Sequence, residues 1–450
     1  MCCWRPQLPG MPATVAPAPH VRRLGVAITI VAIVGILIAT LFPDSSQPVA
    51  PRVCLICGSR AGVDAILNVV LFVPLGIGLG LIGVRARPAL VGMCVLSLLV
   101  ETAQFFFIAG RDATLSDVVT NTLGGALGFA IGRYVCTLLC PSPRIGLALS
   151  VGWSAVWLAI QTISGFGFSP AMPSSEYYGQ IARQLGNFEL FEGRVLRASI
   201  GDVMIPDSRF PNSRRVRQLL LRGAPVTTII VTARPTRGVA PIVRVADARQ
   251  REIMLLAQDS QNLTFGVRTG AVVLHLRGPV FTQRDLFAGA SPRDRGLTTD
   301  TLIVTARYSA REVWLNVKRG QVSHVRRIPI TASLGWTMLL PFAWFIEGTR
   351  TELVVNAIWV ACLLLPMGYW GVGATRFFRS QKGTRIPTPS VLTALALLYA
   401  GLVVVPHVFG VTGAPPSDWL AALTGILLGG ILRGSRVYRA RESGLTAGLA

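Results

Sequence analysis

The sequence predicts a polytopic α-helical membrane protein whose second half carries an inserted all-β sandwich. Three observations lead there. Apolar runs of about 20 residues recur along most of the chain, long enough to cross ~30 Å of hydrocarbon. Between residues 172 and 329 they give way to short, alternating, β-branched segments. The composition, 51% hydrophobic and only 14% charged, with a mean hydropathy of +0.55, lies outside the soluble range.

Residues 1–23 read as a cytoplasmic tail ending in His20-Val21-Arg22-Arg23. The run at 24–42 is longer than a signal-peptide core and no small-residue cleavage site follows it closely, so an uncleaved first span is expected. Runs at 63–84, 88–109 and 117–139 complete a first four-span half, residues 24–139. The run at 145–165 is a linking span that opens the second half. Runs at 353–372, 389–410 and 417–433 complete that half, which spans 353–433 after the insertion, and 434–450 form a second cytoplasmic tail.

Charge sets the count at about eight spans. The formal net charge of +22 is almost wholly arginine, lysine standing only at 318 and 382. With the N-terminus inside, Arg22, Arg23, Arg85, Arg87, Arg133 and Arg144 gather on the inner side, as do Arg376, Arg379 and Arg433. The short outer loops keep Arg52, Arg60 and Arg111, in line with the positive-inside bias. A ninth span at 330–346 would move the last inner charges outside. That stretch, short and interrupted by Pro341, is therefore expected to be interfacial or re-entrant, with Trp336 and Trp344 at headgroup level. No nucleic-acid motif accompanies the arginines. Membrane orientation and an arginine-rich domain account for them.

The β region contains VTTIIVTARP, APIVRVADA, EIMLLAQ, LTFGVRTG, TLIVTARY and EVWLNVKRG. Strands at this spacing argue an antiparallel sandwich, and the topology places residues 172–329 outside the membrane. The final pair, TLIVTARYSA and REVWLNVKRG, resembles the end of a laminin-G or concanavalin-like jelly roll. That resemblance implies a fold that often binds sugar on a concave face. A structural or protein-contact role stands beside it, because no aromatic platform or acidic calcium cluster is evident.

Two stretches about 300 residues apart match. Ser116-Asp117 superposes on Ser417-Asp418, which brings Gly124 onto Gly425 and Gly128 onto Gly429. Asp64-x-x-x-Asn68 is echoed by Glu352-x-x-x-Asn356, and Pro74-x-Gly76 by Pro366-x-Gly368, with the proline spacing off by four. The halves thus read as parallel repeats. Gly124, Gly128 and Gly132, spaced by four, are expected to admit a neighbouring backbone.

Charged groups inside a span are costly and normally face the bundle interior. Asp64 and Asn68, Glu101 and Gln104, and Asp117 and Asn121 pair at helical spacing on three spans, with Arg111 just before the last. All fall in the outer half of the predicted membrane. Structural ion pairing and a binding or catalytic role both fit such a cluster. Together with Phe72-Val-Pro74-Leu-Gly76 and Gly124, these residues make 24–139 resemble the VanZ-like family of bacterial membrane proteins, named for a member conferring low-level teicoplanin resistance. The second half departs from that pattern: Ala422 stands for Asn121, and the Glu and Arg have no counterpart.

The resemblance implies binding or remodelling of an outer-leaflet lipid or cell-wall precursor in the bacterial inner membrane. Catalysis on a lipid-linked substrate and secondary transport remain as alternatives. Whether any reaction occurs stays open, because no catalytic spacing is recognised. No cofactor or metal is expected, since Cys54-x-x-Cys57 lacks the second pair of a zinc site. Those two cysteines fit a disulfide or redox pair, or simply small apolar packing.

Overall fold

The computed structural model describes residues 18–41, 53–54, 60–108, 113–186, 188–231, 235–287, 301–381 and 389–447. The chain divides into two compact units. One comprises residues 1–153, 365–390 and 427–450, the other 154–364 and 391–426.

The first unit opens with α1 (Pro19–Leu41), β1 (Val53–Cys54), α2 (Ala61–Ile82), α3 (Ala86–Phe107), β2 (Ala113–Thr114) and α4 (Leu115–Arg133). Its helices pack around Ile36, Phe72, Leu75, Met93 and Val100. Glycine decides how closely. A β-carbon on Gly124, Gly128 or Gly132 would overlap the carbonyl oxygens of Val69, Val73 or Ile77 on α2. One on Gly76 would overlap Gly125 on α4, while Gly78 lies against Gly25 on α1. Backbone touches backbone along the whole α2–α4 contact, the packing expected of small residues in a membrane bundle. Outward-facing side chains such as Val31, Val70, Leu99 and Phe107 stay exposed, an apolar surface suited to lipid.

Five helices among the described residues are long and apolar enough to cross a membrane: Pro19–Leu41, Ala61–Ile82, Ala86–Phe107, Pro143–Phe168 and Arg350–Gly371. The three other predicted spans are also helical. The stretch at 117–139 is divided between α4 and a short α5 (Val135–Leu139). After α6 (Pro143–Phe168), and beyond the insertion, come α7 (Arg350–Gln381), α8 (Pro389–Tyr399) and α9 (Val405–Val408). A π-type turn at Ala400–Val404 joins α8 to α9, and α10 (Pro416–Ala447) ends the described chain.

Between α6 and α7 lie two six-stranded sheets. In chain order their strands are β3 (Tyr177–Ile181), β4 (Arg194–Ile200), β5 (Val203–Met204), β6 (Val226–Val231), β7 (Val239–Asp247) and β8 (Glu252–Asp259). Then follow β9 (Asn262–Val267), β10 (Val280–Gln283), β11 (Thr301–Tyr308), β12 (Glu312–Arg319), β13 (Val322–Pro329) and β14 (Phe345–Ile346). One sheet has the order β14-β10-β9-β8-β7-β3 and the other β13-β12-β11-β6-β4-β5. All neighbours are antiparallel except the β10–β14 pair. Phe281 on β10 meets Tyr308 on β11 edge to face, joining the two sheets across their apolar interior. In the second sheet burial alternates strictly along β6 and β11, so one face is core and the other open.

Within 330–346, residues 332–339 form a 3-10 helix in which Ala332 to Met338 are buried. Trp336, expected at headgroup level, is 8% exposed and donates its indole N–H to Asn356 Oδ1 at 2.7 Å. Its polar edge is satisfied inside the protein instead of by headgroups. The Cys57 and Arg111 readings fall outside the described residues, as does the side chain of Cys54.

Candidate functional site

The polar residues of the first unit collect at one end of its helices. Backbone pairing begins the arrangement: β1 and β2, which precede α2 and α4, pair in parallel, Val53 with Ala113 and Cys54 with Thr114. The last turns of α1 and α3 are tied by Gln104, whose Nε2 donates to the Thr40 carbonyl at 2.9 Å. Glu101 accepts the Thr114 backbone N–H at 2.9 Å. Thr114 caps α4, its hydroxyl accepting from the Asp117 N–H at 3.1 Å. Asn121 donates from Nδ2 to Ser97 Oγ at 2.9 Å, and its Oδ1 is buried with no partner.

Burial sorts these groups. Glu101, Gln104 and Asn121 lie inside, at 7%, 5% and 2% exposure. Asn68 and Asp117 are half-buried, and Asp64, in the first turn of α2, is exposed. The six described candidates therefore share one end, three inside and three toward its surface. The inner three bond to Thr114, Thr40 and Ser97, and Asp117 accepts the Ser116 hydroxyl at 3.3 Å. Sequence reading missed Thr114, Ser97 and Thr40. The Thr-Leu-Ser-Asp run at 114–117 was the available signal, a hydroxyl cap three residues before an acid.

Residues 26–137 match the VanZ/LLP1 family. The match runs from within α1 to beyond α4 and includes the whole polar end. No curated protein and no solved structure matches the chain. The VanZ-like domain is thus identified by the match over residues 26–137, and no family is identified for the sandwich.

Glycine contacts set the register between the VanZ-like domain and the later helices. Gly425 and Gly429 on α10 lie against the carbonyls of Ala361 and Leu365 on α7, as Gly124 and Gly128 lie against Val69 and Val73. The same shift carries Pro74 onto Pro366 and Gly76 onto Gly368. It carries Asp64 onto Asn356 and Arg60 onto Glu352, which corrects the sequence pairing of Asp64 with Glu352 by one helical turn. The matching asparagines misled; close backbone packing is the stricter constraint. A parallel bridge between Thr331 and Thr412 also precedes this second helix pair, as β1–β2 precedes the first.

The aligned polar positions of the later helices are buried. Asn356, 5% exposed, is occupied by Trp336. Asp418, the counterpart of Asp117, is 1% exposed with the Ser333 hydroxyl beside its carboxylate. Glu352 receives the backbone N–H groups of Glu347, Gly348 and Thr349. Trp336 and Ser333 of the 3-10 segment thus lie beside Asn356 and Asp418.

An open cavity of about 960 Å³ lies where β10, β13 and the start of α7 meet, bordered by Arg284, His324, Arg326, Trp344, Glu347 and Glu352. Arg284 pairs with Glu347 at 2.7 Å, and Arg326 donates twice to the Glu347 carbonyl. Among the described residues no His, Cys, Asp or Glu group is arranged to hold a metal ion.

Proposed function

We propose that the protein is a VanZ-like, multi-pass component of the bacterial inner membrane that binds an outer-leaflet lipid headgroup or cell-wall precursor at the polar end of its first four helices. In this reading residues 24–139 are a first four-span half, 145–165 a linking span and 353–433 a degenerate second half. The sandwich at 172–329 faces the exterior as a jelly roll, for an eight-span total.

One observation carries the proposal. Asp64 is exposed and Asp117 half-buried, whereas the positions that the glycine contacts align with them, Asn356 and Asp418, are 5% and 1% exposed, Asn356 accepting the Trp336 indole N–H. The two pairs of positions thus differ in exposure, and those of the first four helices are reachable from the surface. A ligand with hydroxyl, amide or ammonium donors fits that difference, and sugar–peptide precursors and amine-bearing headgroups both offer them. The family match over α1 to α4 supports the same site, since the resistance that named the family concerns exposed cell-wall intermediates.

Teicoplanin susceptibility of cells expressing wild type, Asp64→Asn or Asp117→Asn at equal membrane levels tests the reading. The expected outcome is loss of any protection in both variants. Full protection by both would refute it. The repeated helix pairs favour a second reading, secondary transport; proton- or ion-coupled flux in proteoliposomes, abolished by Asp64→Asn, would put transport in place of simple binding.

A further inference from the structure

Charge is divided unequally between the two sheets. The sheet β14-β10-β9-β8-β7-β3 carries Arg244 against Asp247, Glu252 and Asp259. In the strands of the sheet β13-β12-β11-β6-β4-β5 the only acid is Glu312, at the start of β12. Its cations are not spread at random. Register and alternation place Arg307, Lys318 and Arg327 on the face turned away from the core, and all three are exposed. Arg194 and Arg197 on β4 are exposed beside them.

One cross-strand row sets an aromatic residue between two cations. Trp314 pairs with Arg307 on one side and Arg327 on the other, so an indole lies between two guanidinium-bearing positions. A second row runs Arg197, Ile229, Ile303, Lys318, its end charges three strand spacings apart, ~14 Å. Like charges crowded on one sheet face repel one another, and the accumulated potential attracts an oppositely charged partner.

We infer that this outer sheet face docks an acidic glycan polymer, one carrying phosphate or carboxylate groups along a chain of sugars or polyols. The face is open and broad, not a pocket, which suits a polymer over a small anion. The Arg–Trp–Arg row offers an aromatic surface for a ring between cations for its acidic substituents. The inference shares with the proposed function only the placement of the sandwich outside the membrane, and does not depend on the polar end of the VanZ-like domain.

The test uses full-length protein in nanodiscs of zwitterionic phosphatidylcholine, so that the surrounding lipid adds no negative charge. Poly(glycerol phosphate), polygalacturonate, neutral dextran and phosphatidylglycerol vesicles serve as separate probes. Binding of both acidic polymers, weakening with salt and falling about tenfold or more in Lys318→Glu/Arg327→Glu, is the expected result. A second variant, Arg194→Glu/Arg197→Glu, should show the same loss, and both variants alter side chains exposed on that face. Equal binding of dextran, undiminished affinity in both variants, or binding to the anionic vesicles alone would overturn the inference. Because Asp64 and Asp117 are untouched, this outcome is separable from that of the susceptibility assay.

Discussion

Glu101 accepts the backbone N–H of Thr114 at 2.9 Å, and Thr114 in turn caps α4 through the N–H of Asp117. A buried carboxylate near the end of one helix thereby fixes the start of another. The acid is anchored, and the same bonds hold Asp117 at the surface of the polar end.

Replacing Glu101 should separate these roles. Glu101→Ala leaves a buried N–H at Thr114 without its acceptor and is expected to destabilise the domain by about 1–3 kcal/mol. Glu101→Gln keeps an acceptor oxygen and should retain more of that stability. Thermal melts of the detergent-solubilised protein check the order wild type, Gln, Ala.

The glycine ladder makes a sharper prediction. At Gly128 the obstacle is the Val73 carbonyl, which is backbone and cannot rotate away. Gly128→Ala should cost about 1–3 kcal/mol or prevent assembly of the domain, and Gly429→Ala, against Leu365, should behave alike. Gly92 has nothing near its missing β-carbon, so Gly92→Ala should be neutral or stabilise by up to ~1 kcal/mol. Equal effects at Gly92 and Gly128 would discredit the close-packing account.

Acid should weaken the sandwich through Asp247. Burial alone would raise this carboxyl, but hydrogen bonds from the Arg251 side chain and from the backbone of Arg251 and Arg249 outweigh it and hold the pKa below its ordinary value. A depressed folded pKa contributes stability above the unfolded value near 3.8, lost as pH falls through the lower folded one. Melting temperatures recorded from pH 7 downward should drop below about pH 4, and Asp247→Asn should be less stable at pH 7 with a shallower acid slope.

Trp336→Phe should loosen the packing of the 3-10 segment on α7. The change removes the donor to Asn356 while keeping most of the buried ring. An expected loss of about 1–2 kcal/mol, with no change at the first copy's polar end, would show that the 3-10 segment acts as an internal cover.

Much of the architecture was legible because it rests on local patterns. Apolar length announced α1, α2, α3 and α6, and β-branched alternation announced β6 and β11. Strand order was not legible, since β3 pairs with β7 and β14 with β10 across long intervals of chain. The polar end was visible from helical spacing at Glu101, Gln104 and Asn121. Their partners Thr114, Thr40 and Ser97 were not, because each comes from a different helix or loop. Side-chain identity aligned Asn68 with Asn356, whereas the backbone contacts of Gly425 and Gly429 place Asp64 opposite that position, one helical turn away.

The claim that the polar end and the sandwich both face the outside is tested most directly by single-cysteine labelling in an otherwise cysteine-free chain. A membrane-impermeant maleimide applied to intact cells should modify cysteines placed at Leu115, at the polar end, and at Ser174, ahead of the sandwich, while one at Ser435 reacts only after permeabilisation. Labelling of Ser435 from outside with Leu115 and Ser174 silent would contradict the account.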